Sequence, residues 1–107
     1  MNLYEHTFIL TPELSTQDAD LVRKKINEIL DKNNSKVIKE EDWGIRTLAY
    51  PIKKNIRGKY SNLYIEGNNK VIKEIEQFER YDERVLKFLS LKIKKIPDEN
   101  SELVKDT

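Results

Sequence analysis

From Leu3 to Leu10 the chain alternates two sets of residues, Tyr4, His6, Phe8 and Leu10 against Leu3, Glu5, Thr7 and Ile9, which is the two-residue period of a β-strand. The first set is predicted to face a core. Thr11-Pro12 stops the strand, and Ser15 with Asp18 three residues on is a shortened form of the capping box that opens helices. Ala19, Val22, Ile26, Ile29 and Leu30 then recur at three- and four-residue steps, with Arg23, Lys24, Asn27, Glu28 and Asp31 on the other side, which predicts a helix buried along one face. Asn33-Asn34-Ser35 tolerates the left-handed backbone and closes it.

Lys36 to about Lys54 is β-compatible but long for one strand. Pro51 lies inside it and has no N–H for a ladder, so the run must be an edge strand or be ending there; Gly44 behind Trp43 predicts a bulge. Asn55-Ile56-Arg57-Gly58 reads as a hairpin connection, Tyr60 to Glu66 as a third strand, and Val71, Ile72, Ile75 and Phe78 as the apolar face of a second helix from about Lys70 to Tyr81-Asp82. Val85 to Ile96 is the fourth strand, stopped by Pro97, and Asp98 to Thr107 reads as a flexible polar tail. The order is β-α-β-β-α-β, the ferredoxin-like α+β sandwich with a four-stranded antiparallel sheet and two helices on one face. Right-handed crossovers put the first and third strands in the centre and the second and fourth at the edges. Residues 1–96 form the predicted domain and 97–107 the tail. The last strand is apolar on both sides, Leu86 and Phe88 alternating with Val85, Leu89, Leu91 and Ile93, so the helix-free face is predicted to be covered by a partner.

Composition narrows the chemistry. The 107 residues suit one domain, and 36% charged residues at a net charge of only +1 give solubility without a global basic field. There is no Cys, so disulfides, thiolate metal sites and Cys nucleophiles are excluded, and an intracellular compartment is expected. Neither a signal-peptide pattern nor a membrane-spanning apolar run occurs, which predicts a cytoplasmic protein. The single histidine, His6, falls in the inward register and reads as a core residue; three glycines build no phosphate cradle; Glu40-Glu41-Asp42 alternates across a strand and reads as a solvated edge. No catalytic residue, cofactor, metal site or small-molecule substrate is therefore expected.

The cations are better organised than their sum. Lys53, Lys54, Arg57 and Lys59 form one acid-free run, Lys87, Lys92, Lys94 and Lys95 another, and Tyr4, Arg46, Tyr50 and Tyr60 offer stacking or hydrogen-bonding groups nearby. Lysines on strand edges also prevent aggregation, so on composition alone an RNA surface and a solvated rim stand level.

Leu3-Tyr4-Glu5, Glu41-Asp42-Trp43-Gly44, Leu48-Ala49-Tyr50-Pro51-Ile52-Lys53, Val71-Ile72 and Arg80-Tyr81-Asp82 resemble, in colinear order over residues 1–96, bacterial small-subunit ribosomal protein six. The Gly44 to Lys53 run is the most specific part. The resemblance implies a ribosomal structural component, not an enzyme, that pairs with small-subunit ribosomal protein eighteen and binds the central domain of 16S rRNA during platform assembly. It implies rRNA contacts at Tyr4, Arg46, Tyr50, Lys53, Lys54, Arg57, Lys92 and Lys94, and a protein-partner surface at Leu89, Leu91 and Ile93. Asn2-Leu3, Ile45 and Thr47 stand where relatives often carry basic or amide residues, which predicts weak RNA binding without the partner. The alternatives on this fold are a phosphate-hydrolysing enzyme or a ligand-sensing module. The first would need a Gly-rich anion loop where Thr11-Pro12-Glu13-Leu14 stands.

Overall fold

A computed structural model describes residues 2–97 and contains β1 (Asn2–Leu10), α1 (Thr16–Lys32), β2 (Lys36–Ile52), β3 (Asn55–Gly67), α2 (Asn69–Arg80) and β4 (Val85–Ile93). The strands form one antiparallel sheet in the order β2-β3-β1-β4, so β1 and β3 are central and β2 is an edge, as Pro51 requires. Ser15 caps α1 by accepting from the Asp18 N–H at 3.1 Å, and Asn68 caps α2 by accepting from the Val71 N–H at 2.9 Å. Asn34, at φ 54, supplies the left-handed residue after α1.

The helices bury one side of the sheet. Ala19, Val22, Ile26 and Leu30 of α1 and Val71, Ile72 and Ile75 of α2 pack on Tyr4, Phe8, Leu10, Leu63, Ile65 and Val85. Full burial of each large aliphatic side chain stabilises by about 1.5–3 kcal/mol. His6 lies in this layer, fully buried: its Nε2 is 2.7 Å from Glu79 Oε1 and its Nδ1 is 2.7 Å from Ser90 Oγ. One imidazole thus ties β1 to α2 and β4. Burial pushes the Glu79 carboxyl above its ordinary value; the hydrogen bond and charge of His6 oppose this and do not cancel it, while Glu76 and Asp82 add to the rise.

Two boundaries and one register differ from the sequence reading. Asn55-Ile56-Arg57-Gly58 belongs to β3, because the reversal is made by Lys53 and Lys54 alone, at φ 47 and 67. Two consecutive left-handed residues between the paired Ile52 and Asn55 give the backbone of a two-residue hairpin, whose twist matches the strands. β4 ends at Ile93 instead of Ile96, since the chain bends at Lys94-Lys95 and turns across the sheet until the Pro97 carbonyl accepts from Lys39 Nζ at 3.2 Å. In β4 the register shifts between the pairs Ile9–Lys87 and Leu10–Val85, leaving Leu86 extra; Val85 and Phe88 face the helices, whereas Leu86, Leu89, Leu91 and Ile93 belong to the other side. The polar segment from Asp98 lies outside the described residues.

Glu79→Gln keeps a hydrogen-bonding partner for His6 without a titrating group. In the wild type, stability contributed by the protonated carboxyl is present below its ordinary pKa and is lost as pH rises through the raised folded value. The melting temperature of Glu79→Gln minus that of the wild type is therefore expected to grow from pH 4 to pH 8, followed by circular dichroism. Glu79→Ala, which leaves Nε2 of the buried imidazole unpaired while Nδ1 keeps Ser90, is expected to cost about 1–3 kcal/mol.

Candidate RNA and partner surfaces

β2 carries 17 residues against 13 in β3, and the excess leaves the ladder at three places. Ile38 and Trp43 are single extra residues, and Gly44 at φ 73 completes the second bulge, where its N–H donates to Asp42 Oδ1 at 2.8 Å. Beyond the Thr47–Arg57 pair, Leu48 to Pro51 lie opposite Ile56 alone before Ile52 meets Asn55. Pro51 therefore sits where no ladder hydrogen bond is asked of it. Released from the ladder, the hairpin arm folds over the helix-free face: Leu48 and Ile52 join Ile9, Leu86 and Tyr60 in a second apolar cluster. Gly58 makes the approach possible, since a Cβ there would stand 2.3 Å from Ile9 Cγ2 and 3.3 Å from Leu48 Cδ2.

The arm reaches the opposite edge of the sheet. Lys87 Nζ of β4 donates to the Tyr50 hydroxyl at 2.8 Å and lies 5.2 Å from the Tyr50 ring centroid; Lys53 Nζ donates to the Val85 carbonyl at 3.4 Å. The bond to Tyr50 raises the Lys87 pKa, so this cation stays charged. At the other end of the sheet the Lys39–Pro97 contact forms a second strut. Between the struts lies a shallow trough of about 350 Å³, lined by Glu5, Thr7, Ile9, Trp43, Tyr60, Lys87, Leu89 and Leu91.

The trough has an apolar side on β4, and its floor sets the polar Glu5 and Thr7 of β1 beside Ile9, Tyr60 and Trp43. Leu89 and Leu91 are 56% and 49% exposed. Beside the trough, Glu41 accepts from Trp43 Nε1 at 2.9 Å and pairs with Lys39 at 3.4 Å, while Glu40 pairs with Arg23 of α1 at 3.0 Å. Glu40-Glu41-Asp42 is thus divided between the faces, but Glu41 is 2% exposed, not solvated as its edge position suggested, because Lys39 and Trp43 enclose it. Glu5 accepts from Asn62 Nδ2 at 3.0 Å and from the Tyr64 hydroxyl at 3.1 Å. Burial, together with the charges of Glu5 and Glu41, pushes the Tyr64 pKa up to about 12, which keeps that hydroxyl a donor.

The residues singled out from sequence separate into three places. Arg46, Tyr50, Lys53, Lys54 and Arg57 share the β2–β3 arm, with Lys54 and Arg57 exposed at or beside its tip. Arg46 Nε donates to the Trp43 carbonyl at 3.0 Å, which holds its guanidinium at the second bulge. Tyr50 commits its hydroxyl and one ring face to Lys87, which makes it a strut more than a stacking platform. Lys92 pairs in register with Tyr4, on the helix side, about 17 Å along β4 from Lys87, and Lys94 lies beyond the strand end. The second lysine run therefore forms no single patch. Tyr4 is corrected outright: at 6% exposure it packs in the core, because even-numbered β1 residues face the helices, and it presents no ring to RNA. Leu89, Leu91 and Ile93 do share the open face.

The Ser90–His6–Glu79 chain of hydrogen bonds has the residue types of a hydrolase triad, but His6 is fully buried and bonded on both nitrogens within the core. Among the described residues no group of three or more His, Asp or Glu could hold a metal ion, and no helix is long and apolar enough to cross a membrane.

Residues 3–92 match the family model described as Ribosomal protein S6. The chain belongs to that ribosomal protein family. Small ribosomal subunit protein bS6 of Pelagibacter ubique is 39% identical over 95 residues, covering 89% of this chain and 78% of the relative. The protein of the same description from Phocaeicola vulgatus is 41% identical over 95 residues, with 89% and 83% covered. The crystal structure of 30S ribosomal protein S6 from Thermotoga maritima superposes with a TM-score of 0.78 at 25% identity, covering 86% of this chain and 87% of that one. Membership makes the chain a small-subunit ribosomal protein of the cytoplasmic ribosome, a structural component and not an enzyme. The ferredoxin-like fold read from the order of elements is the fold of this family.

Sequence reasoning missed Glu5, Thr7, Asn62 and Tyr64 as one polar ladder. The register Glu5–Tyr64 and Thr7–Asn62 creates it, and only the alternation of Glu5 and Thr7 away from the core pointed to it. It also missed that Lys53 and Lys54 are the hairpin turn itself. Left-handed backbone costs a residue with a Cβ about 1 kcal/mol or more, and Asn-Gly is the pair that this turn favours. Replacing Lys53→Asn with Lys54→Gly is expected to raise stability by about 1 kcal/mol, a rise of roughly 4–8 °C in melting temperature. An unchanged or lower melting temperature would mean that the two lysines sit there without strain.

Proposed function

We propose that this small-subunit protein binds the central domain of 16S rRNA together with small-subunit ribosomal protein eighteen, residues 1–96 acting as the binding unit and 97–107 as a tail. The observation that carries the RNA reading is the hairpin tip. Two lysines occupy left-handed positions that Asn-Gly would fill with less strain, and strained backbone of this kind persists where a function needs the side chains. Lys53 and Lys54 present point charges there, Arg57 and Arg46 planar guanidinium groups beside and behind them, and Tyr50 a braced hydroxyl. Lys92 and Lys94 make a second, separate contact at the far end of β4. The apolar side of the trough, Leu89 and Leu91, with Ile93 beyond it on the same face, supports the protein-partner reading: exposed leucines side by side on an open sheet face are stabilised by burial.

The arm carries few cations for an RNA site, and a net charge of +1 adds no long-range attraction, so the pair of proteins is the RNA-binding species. Filter binding to a 16S central-domain fragment is expected to show weak binding by this chain alone and much tighter binding with the partner added. Arg46→Ala with Lys53→Ala is expected to weaken the ternary complex at least tenfold and to lower the slope of log affinity against log salt by about 1–2, without changing the melting temperature of the domain by more than a few degrees. Equal affinity and equal salt slope in the double variant would remove the arm from the RNA interface.

A further inference from the structure

We infer that the trough admits only a partner segment that brings a Lys or Arg among apolar residues, and that Glu5 is the residue that imposes this choice. The inference rests on the reading that a protein partner covers this face. Glu5 lies on the central strand β1 and pairs in register with Leu91, while Thr7 pairs with Leu89, so an anionic carboxylate stands directly beside the exposed leucines. Its position is fixed. Thr7 Oγ1 donates to Asn62 Oδ1 at 2.9 Å, Asn62 Nδ2 donates to Glu5 Oε2 at 3.0 Å, and the Tyr64 hydroxyl donates to the same oxygen at 3.1 Å. Both donors converge on Oε2 from the floor. The nearby carboxylate Glu41 already has its cation in Lys39, whereas Glu5 forms no ion pair among the described residues.

Covering Leu89 and Leu91 with an apolar segment removes water from Glu5 as well. A carboxylate taken out of water without a cation is strongly unfavourable, and two neutral hydrogen bonds do not compensate it. A segment with a cation between its apolar residues satisfies both sides of the trough; one without is rejected by the stranded charge. The same carboxylate disfavours the other occupants. A phosphate backbone laid along Glu5 is repelled there, a second copy would bring its own Glu5 to the same face, and the segment from Asp98 has Lys105 beside Leu103 and Val104 but carries Asp98, Glu99, Glu102 and Asp106 with it, so its net sign is wrong.

Titration calorimetry of the full-length chain with small-subunit ribosomal protein eighteen tests this. Glu5→Gln, nearly isosteric, is expected to weaken binding about tenfold or more, and Glu5→Lys by about a hundredfold or more, with a flatter salt dependence in both. Glu28→Gln, on the exposed face of α1, is expected to bind as the wild type does. Amide NMR spectra of Glu5→Gln establish that the sheet is intact, and this variant decides the outcome if Glu5→Lys does not fold. Binding by Glu5→Gln within twofold of the wild type overturns the inference and leaves the heterodimer standing. No binding by the wild type overturns the heterodimer reading and the inference with it. Tighter binding by a chain ended at Pro97, with Glu5→Gln unaffected, would make the acidic segment the occupant and overturn the inference. A dimer of the wild-type chain in sedimentation, lost in Leu89→Lys, would make it a second copy and overturn it too.

Discussion

A strand of 17 residues paired to one of 13 cannot keep a flat ladder, and much of the helix-free side of this protein follows from how β2 disposes of its surplus. Single residues leave at Ile38 and Trp43, but the decisive loss of pairing is at Leu48 to Pro51. Pro51 would cost a hydrogen bond in a regular ladder; in the excursion it costs none. The released arm then gains apolar burial by folding Leu48 and Ile52 onto Ile9 and Leu86, with Gly58 as the one position whose missing Cβ lets the layers meet. Edge-strand exposure, often an aggregation hazard, is reduced by the same bend.

The two sides of the sheet therefore have different chemistry. The helix side is apolar except for the His6 network, in which a buried carboxyl and imidazole and a half-buried hydroxyl join α2, β1 and β4. The open side combines a small apolar cluster and exposed leucines with hydrogen-bonded polar groups, and two struts pass over it, Lys87–Tyr50 at one end and Lys39–Pro97 at the other. A nearly neutral protein can in this way present cations on an arm, apolar surface on β4 and a carboxylate on the trough floor without these surfaces cancelling one another.

The order of elements, the edge position of β2, the bulge at Gly44 and the inward register of β1 were legible because each depends on local rules: a period of two or 3.6, a missing N–H, a residue without a Cβ. The Gly44 to Lys53 run carried the family resemblance. Less legible were the features created between strands. Asn55 to Gly58 looked like a turn because it holds Asn and Gly, yet Lys53-Lys54 make the turn, since the pairing of Ile52 with Asn55 fixes where the chain must reverse. Tyr4 looked available to RNA from its motif position, but its place opposite the helices buries it.

By itself the sequence determined the fold, the family and the presence of cations along β2, β3 and β4. Only the tertiary structure decided which of them stand together, because a cation's neighbours across a sheet depend on register, and register on every bulge before it. The last strand shows this most clearly. Read alone it alternates apolar residues on both sides; one extra residue at Leu86 moves Phe88 to the core and aligns Leu89 and Leu91 beside Glu5 and Thr7. A shift of one residue in β4 thus separates a uniformly apolar strand from one wall of the trough.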